Sequence, residues 1–280
     1  MNRVWFDGKL QDGNLSLSPH DRGLTLGDGV FETMAVTHGV ALWCAEHIDR
    51  MAKAATEVGL SFPRAQVMAA VEALTHGTAG HHVLRLTLTG GTGGRGLAAS
   101  VNNPTLIGTL QSFDVNLRFQ PTTLITANIR RNMQSPSSRI KTLSYIDNVI
   151  AAREAAGADV DDALMLNTAG RVACTTIGNV FLENDGILLT PSLKEGILPG
   201  IMRDMVISGA KNLGLIVRER QIRPNDIANA DAMFMTNSLR FLRSVTRCDK
   251  KRFTRPSKLL DKLCKQLLNA EQQHIISKRG

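Results

Sequence analysis

One lysine stands out by its surroundings. In "SSRIKTLSYIDNVIAAREA", residues 137 to 155, Lys141 precedes Leu143, Ile146, Val149, Ile150 and Arg153. The three- and four-residue spacing predicts an amphipathic helix with the lysine at its mouth. Most lysines are solvated, and a lysine that merely flanks a helix needs no chemistry. A lysine amine held beside a pocket is also the nucleophile that forms a Schiff base with a carbonyl. What else the chain supplies decides between the two.

The stretch "KEGILPGIMRDMV" supplies an anion site. Gly196 and Gly200 leave the backbone free to approach a ligand. Ile201 and Met202 fall at a predicted helix start, where unpaired amides and the helix dipole attract phosphate. "EHIDRMAK" adds Arg50, one turn beyond His47 on the same helix face. Such an arginine is either a surface ion-pair partner or a bidentate cation for a phosphate. A second glycine-rich segment, "GGTGGRGL", has no closing Lys-Ser/Thr and no following helix with a distant acid, so it is neither a P-loop nor a dinucleotide site. It reads as a tight loop presenting Arg95, or as a plain hairpin turn. An amine nucleophile, a phosphate-grade helix start and a spare arginine together point to pyridoxal 5'-phosphate. That cofactor needs a lysine, an anion cradle and usually a group on its pyridine nitrogen.

These residues need a scaffold, and 280 residues are ample for one large domain or two modest ones. The chain is 43% hydrophobic and 21% charged, as a globular protein is. No run approaches a membrane span, and "MNRVWFDGKLQDGNLS" has no signal-peptide core. Cys44, Cys174, Cys248 and Cys264 follow no zinc spacing, and reduced thiols in a cytoplasmic protein are the simplest reading. The net charge of +8 is concentrated at the end: residues 240–280 hold 12 Lys or Arg against 3 Asp or Glu. Leu259, Leu260, Leu263, Leu267 and Leu268 form a stripe there, which predicts a packed C-terminal helix with a solvated basic face. With little aromatic interleaving and no recognised motif, that run gives nucleic-acid binding little support.

Short apolar runs and Gly-Asp turns predict a β-meander over the first forty residues. "CAEHIDRMAKAATEVGLSF" predicts a helix with Ile48, Met51, Ala55 and Val58 on one face and Gly59 as its stop. "RAQVMAAVEALTHG" is a second helix, and "HHVLRLTLTGG" and "NPTLIGTLQSF" are strands. Beyond "TTLITANIRRN" strands and helices mix, with "GIMRDMVISGAKNLG" a helix and "DALMLNT", "NVFLEND", "GILLTP" and "AMFMTNS" strands. The expected organisation is α/β: a small α+β domain over 1–115, a linker over 116–121 and a larger domain over 122–280.

Taken in order, these motifs resemble the fold-type IV pyridoxal-phosphate enzymes, the class IV aminotransferase family. That family includes branched-chain aminotransferases, D-amino-acid aminotransferases and 4-amino-4-deoxychorismate lyases. The resemblance runs from "DRGLTLGDGVFETMAV" to "MFMTNSL", most of the chain. It implies a D-amino-acid aminotransferase-like fold whose larger domain is an α/β pseudo-barrel, and a homodimer with pyridoxal phosphate as cofactor. It puts the Schiff-base lysine at Lys141, the phosphate-binding arginine at Arg50 and the phosphate-binding turn at "LPGIMR", with Ile201 and Met202. Thr236 and Asn237 fall in the loop that closes the phosphate side, and "GRVACTTIGNVF" matches the segment flanking the cofactor ring.

Within the family the details differ. Arg95 matches an arginine that D-amino-acid aminotransferases use for a substrate carboxylate, but Leu97 stands where they have a histidine. Phe31 replaces a tyrosine of the aminotransferases on the substrate side. "GGTGGRGL", "GIMR" and "TNSL" are similar to strings in the aminodeoxychorismate lyases. Five residues before Asn179 the family has a glutamate that keeps the pyridine nitrogen protonated; this chain has Cys174. A neutral thiol cannot supply that charge, so the carbanion at Cα is less stabilised. Elimination tolerates this better than transamination. The resemblance therefore implies an enzyme for an amino-acid-like substrate, foremost the lyase giving p-aminobenzoate and pyruvate. An aminotransferase of D-amino or branched-chain amino acids is the alternative, and a scaffold impaired by loss of the glutamate is a third reading. Retention of Lys141, Arg50 and "LPGIMR" argues against the third.

Overall fold

The computed structural model describes residues 3–6, 8–94, 96–98, 103–254 and 257–279. The chain divides into two units: Met1–Val115 with Ile140–Ser144 and His274–Gly280, and Asn116–Arg139 with Tyr145–Gln273.

In the first unit the strands are β1 (Arg3–Phe6), β2 (Lys9–Asp12), β3 (Gly29–Thr37), β4 (Val40–Ala41), β5 (His81–Thr89) and β6 (Thr105–Ser112). They form one antiparallel sheet in the order β2-β1-β6-β5-β3-β4. This corrects the meander expectation: β1 and β2 are a hairpin, but β1 next pairs with β6 and β3 with β5. The turn signals were local, whereas these partners lie 44 to 107 residues away in sequence. Three helices belong here, α1 (Arg22–Leu26), α2 (Cys44–Glu57) and α3 (Arg64–Thr75). α2 buries Ile48, Met51 and Ala55 as its periodicity predicts. They join Val67, Ala70 and Leu74 of α3 and Met34, Leu84, Leu86 and Leu88 of the sheet in one core.

The segment 140–144 completes this unit. Phe31 N donates to Lys141 O and Leu143 N to Gly29 O, each at 2.9 Å, so the segment runs antiparallel beside the start of β3. Gly29 permits this approach, since a Cβ there would stand 2.6 Å from Leu143 Cδ1.

The second unit has β7 (Thr122–Thr126), α4 (Pro136–Arg139), α5 (Ile146–Gly157), β8 (Asp162–Leu166), β9 (Val172–Thr175), β10 (Asn179–Asn184) and β11 (Ile187–Pro191). It continues with α6 (Ile201–Asn212), β12 (Val217–Arg220), α7 (Pro224–Asn229), β13 (Ala232–Asn237), β14 (Phe241–Cys248), β15 (Lys251–Arg252) and α8 (Lys258–Arg279), whose last residues group with the first unit. The strand order is β12-β11-β10-β13-β14-β7-β8-β9, with β15 on β14. β9 also lies against β10 and β11, so the sheet curls on itself. Residues 116–121, expected as a linker, pack within this unit: the Arg118 guanidinium grips Glu271 at 2.8 and 3.0 Å and lies over the Phe241 ring.

Two readings of the Lys141 stretch are corrected. The helix starts at Ile146, because the edge of β3 captures residues 141–143 first. The apolar stripe does not face the core either: Ile146, Val149 and Ile150 are 62%, 38% and 38% exposed. α5 packs on β8 through Ala151 and Ala155, whose small side chains let the elements approach closely. α8 is the expected helix, burying Leu259, Leu263 and Leu267 while Lys258, Lys262 and Lys265 stay in solvent, but Leu260 is half-buried and Leu268 is exposed, so the packed stripe is narrower than the five leucines suggest. The four cysteines are free thiols. Among the described residues, no helix is long and apolar enough to cross a membrane.

Candidate active site

The predicted residues fall into two sets, one in each unit. In the first unit Lys141 Nζ stands 4.2 Å from the centroid of the Phe31 ring. The pairing of the Lys141 segment with β3 fixes this: the Phe31 amide holds the Lys141 carbonyl, so both side chains leave one short ladder. Arg85 lies over the Phe31 ring as well, 3.9 Å from its centroid.

Arg50 is anchored by a residue the sequence reading missed. Its Nε and Nη2 donate to Glu32 Oε1 and Oε2, each at 2.7 Å. His47 Nδ1 lies 2.7 Å from Glu32 Oε2, and its buried Nε2 has no hydrogen-bond partner. Burial alone would raise the Glu32 carboxyl, but Arg50 and His47 outweigh it and hold it down at about 2. Burial lowers the His47 imidazole; Glu32 opposes this, while Arg50 and Lys141 add to it. The signal was available: a lone glutamate in the apolar run "GVFETMAV" must find a cation if it is buried.

Arg95 lies outside the described residues. Its loop is pinned beside it: Arg22 pairs with Asp28 and donates to the carbonyls of Gly96 and Leu97 at 3.0 Å.

In the second unit Ile201 and Met202 open α6 with buried side chains, so only their amides are on offer. First-turn amides have no intrahelical acceptor, and the N-cap, Gly200, brings no capping side chain. A Cβ on Gly200 would stand 2.1 Å from Asn179 Oδ1. Asn179 fixes that approach by donating from Nδ2 to Leu198 O at 2.9 Å, and it pairs across the ladder with Thr236. Thr236 Oγ1 is buried without a partner. An uncapped helix start, a glycine that excludes any side chain and an orphaned hydroxyl nearby form a cradle suited to a phosphate. Asn237 turns its Oδ1 to the amides of Leu239 and Arg240, closing the loop beside Thr236.

Cys174 lies in β9 opposite Met165 of β8 and is buried. Burial pushes its thiol up; Arg131 opposes this and Asp162 reinforces it. The group at this position is therefore neutral.

The amino-transferase class IV model matches residues 29–248, and the chain belongs to that family. It is a pyridoxal-phosphate enzyme of fold type IV. A putative branched-chain-amino-acid aminotransferase from Methanocaldococcus jannaschii is 32% identical over 84% of each chain. An aminodeoxychorismate lyase from Bacillus subtilis is 26% identical over 99% of this chain and 97% of its own. A solved structure of a putative 4-amino-4-deoxychorismate lyase from Legionella pneumophila has 31% identity and a TM-score of 0.87, covering 92% of this chain and 96% of that one. Each unit by itself offers groups of the kind that cofactor needs: an amine at Lys141 and a guanidinium at Arg50 in the first, and an uncapped helix start beside the unpartnered Thr236 hydroxyl in the second.

Proposed function

We propose that the chain is a lyase that cleaves 4-amino-4-deoxychorismate to p-aminobenzoate and pyruvate. The observation that carries this reading is the buried, neutral thiol of Cys174. When bound, pyridoxal phosphate withdraws electrons from the carbon that bears the substrate's amine. In this reading Lys141 tethers the cofactor until the substrate amine replaces it. Freed Lys141 then takes the proton from that carbon on Nζ. The amides of Ile201 and Met202, with Thr236 Oγ1, hold the phosphate. Arg50, kept in one rotamer by Glu32, contributes charge toward the phosphate, and Asn237 keeps the Thr236 loop closed. Phe31 forms an aromatic wall on the substrate side and Arg95 takes a substrate carboxylate.

Cys174 decides between reactions because a thiol cannot balance a protonated pyridine nitrogen. In elimination the pyruvate group departs as the proton is lost, so little carbanion accumulates. Transamination would need a longer-lived carbanion, and the neutral Cys174 thiol would give it no charge to lean on. The near full-length match to the Bacillus subtilis lyase supports the first. The Methanocaldococcus jannaschii relative favours a second reading, an aminotransferase of branched-chain or D-amino acids. We also infer a homodimer, supported by the exposed stripe Ile146, Val149 and Ile150 on α5.

The test is product analysis. The wild type should convert 4-amino-4-deoxychorismate into p-aminobenzoate and pyruvate in equal amounts, and Lys141→Ala should not. Absence of p-aminobenzoate, with amino acids converted to keto acids when 2-oxoglutarate is supplied, would establish the aminotransferase. Borohydride should fix the cofactor to the wild type and not to Lys141→Ala; a link that survives in the variant puts the nucleophile elsewhere.

A further inference from the structure

The second unit buries a charge that the proposed reaction does not use. Arg131 follows β7 and runs alongside β8, where its amide donates to Leu166 O at 2.9 Å and it bridges Asn167. Arg131 is 6% exposed. Nε donates to Gly196 O at 3.0 Å, Nη1 to Asn148 Oδ1 at 3.2 Å and Nη2 to Ser138 O at 2.7 Å. All three acceptors are neutral. Among the described residues no carboxylate forms an ion pair with Arg131, although a buried guanidinium ordinarily has an anion beside it.

Cys174 flanks the other side of the same strand, β8, opposite Met165. It shares an apolar cluster with Ile197, the neighbour of the glycine that accepts from Nε. From Nη1 the connection continues through Asn148, whose Nδ2 donates to Thr176 O at 2.6 Å, two residues beyond Cys174. Arg131 and Cys174 are thus neighbours across one strand. Two acids lie in this region. Glu195, beside Gly196, is buried, and its Oε2 accepts from Arg171 Nε at 2.5 Å and from Asn167 Nδ2 at 2.9 Å, so its charge is matched by Arg171. Asp162 is the second. By strand alternation it stands with Leu164 on the face opposite Met165 and Cys174. Its Oδ1 accepts from Ala163 N, Thr176 N and Thr176 Oγ1. Burial raises its carboxyl, against the pull of these donors.

We propose that Arg131 and Cys174 form a cationic wall without an acid that keeps the ring nitrogen of bound pyridoxal phosphate unprotonated. The proposal rests on the reading that Cys174 faces that nitrogen. A proton there would create a second positive charge beside a buried guanidinium whose three partners are all neutral, and like charges at close range disfavour the charged form. A carboxylate at position 174 would reverse both effects, by pairing with Arg131 and by accepting the ring proton.

The experiment is nitrogen NMR of the holoenzyme reconstituted with cofactor labelled with 15N in the ring, in the wild type, Cys174→Ser and Cys174→Glu. The first two should show the unprotonated nitrogen from pH 6 to 8.5, and Cys174→Glu should move the signal to the protonated position. Thermal unfolding of the apoprotein gives an independent readout: Cys174→Glu should melt above Cys174→Gln at neutral pH, because only the glutamate pairs with Arg131. A protonated nitrogen in the wild type overturns the proposal, and decides it even if Cys174→Glu does not fold. An apoprotein in which Cys174→Glu melts below Cys174→Gln overturns the part assigned to Arg131. An unprotonated nitrogen in a Cys174→Glu protein that melts above Cys174→Gln overturns the placement of Cys174 at the ring. The p-aminobenzoate assay on the wild type stands apart from all three outcomes, so a failure of the lyase reading is told from a failure here.

Discussion

Replacing Glu32 with glutamine should cost the first unit roughly 3 kcal/mol at pH 7 and remove much of its sensitivity to acid. Glu32 is fully buried between Arg50 and His47. Burial pushes its carboxyl up, but the two partners win and hold it at about 2, against an ordinary 4.5. At about 1.4 kcal/mol per tenfold change in proton affinity, this is roughly 3 kcal/mol. The figure agrees with the ~3–5 kcal/mol typical of breaking a buried pair by removing one partner. Because the folded carboxyl is depressed, the folded state binds fewer protons than the unfolded chain. The stabilisation is complete above about pH 5 and is lost as pH falls toward 2. His47 acts in the same direction: its imidazole is lowered in the fold, so protonation of the unfolded chain also favours unfolding as pH drops. Both tryptophans, Trp5 and Trp43, lie in the first unit, so fluorescence during urea unfolding of the apoprotein reports on it. The gap between wild type and Glu32→Gln should be roughly 3 kcal/mol at pH 7 and smaller by about 2 kcal/mol at pH 3. A gap below about 1 kcal/mol at pH 7, or one that does not narrow on acidification, would refute the ion-pair reasoning.

Three further substitutions test the second unit. Gly200→Ala keeps a permitted backbone, at φ −73 and ψ 133, but drives a methyl group into Asn179 Oδ1. It should destabilise the apoprotein by about 1–3 kcal/mol and weaken cofactor binding in an absorbance titration; unchanged affinity would mean the α6 start is not the cradle. Thr236→Val removes an unpaired buried hydroxyl, so the apoprotein should hold or gain stability while cofactor affinity falls about tenfold. A loss of stability with intact affinity would assign Thr236 to packing alone. Ile150→Glu should shift sedimentation from dimer to monomer, and a dimer that survives excludes the α5 stripe from the interface.

What could be read from sequence depended on how local its cause is. α2 was legible because Ile48, Met51 and Ala55 repeat with the helix and do face the core. The α6 start was legible because glycine spacing marks a turn whatever surrounds it. The Lys141 stretch was misread because its first residues pair with Gly29 and Phe31, more than a hundred positions away, and periodicity carries no information about such a partner. The same stretch shows that an apolar stripe does not say what it meets, since α5 packs through alanines and leaves Ile146 in solvent. Glu32 and Arg131 are charges whose importance comes from burial. In the sequence they look like any surface residue, and only an apolar run around Glu32 hinted otherwise. Thr236 Oγ1 was placed by the family motif, but that it lacks a partner is visible only in three dimensions.

The route by which Lys141 reaches β3 governs the order in which this protein can be made. Residues 140–144 belong to the first unit although 24 residues of the second, Asn116–Arg139, precede them. A chain emerging from the ribosome, amino end first, presents β3 with its Gly29–Phe31 edge open until residue 143 has followed. The last residues are needed too, because the Trp43 amide donates to His274 Nε2. An unpaired strand edge is an invitation to wrong partners, so a stalled or truncated product that ends before Lys141 carries both that hazard and no amine. The amine and the segment that closes the β3 edge thus arrive in a single step of synthesis, while the unit's contact at His274 waits for about 130 residues more.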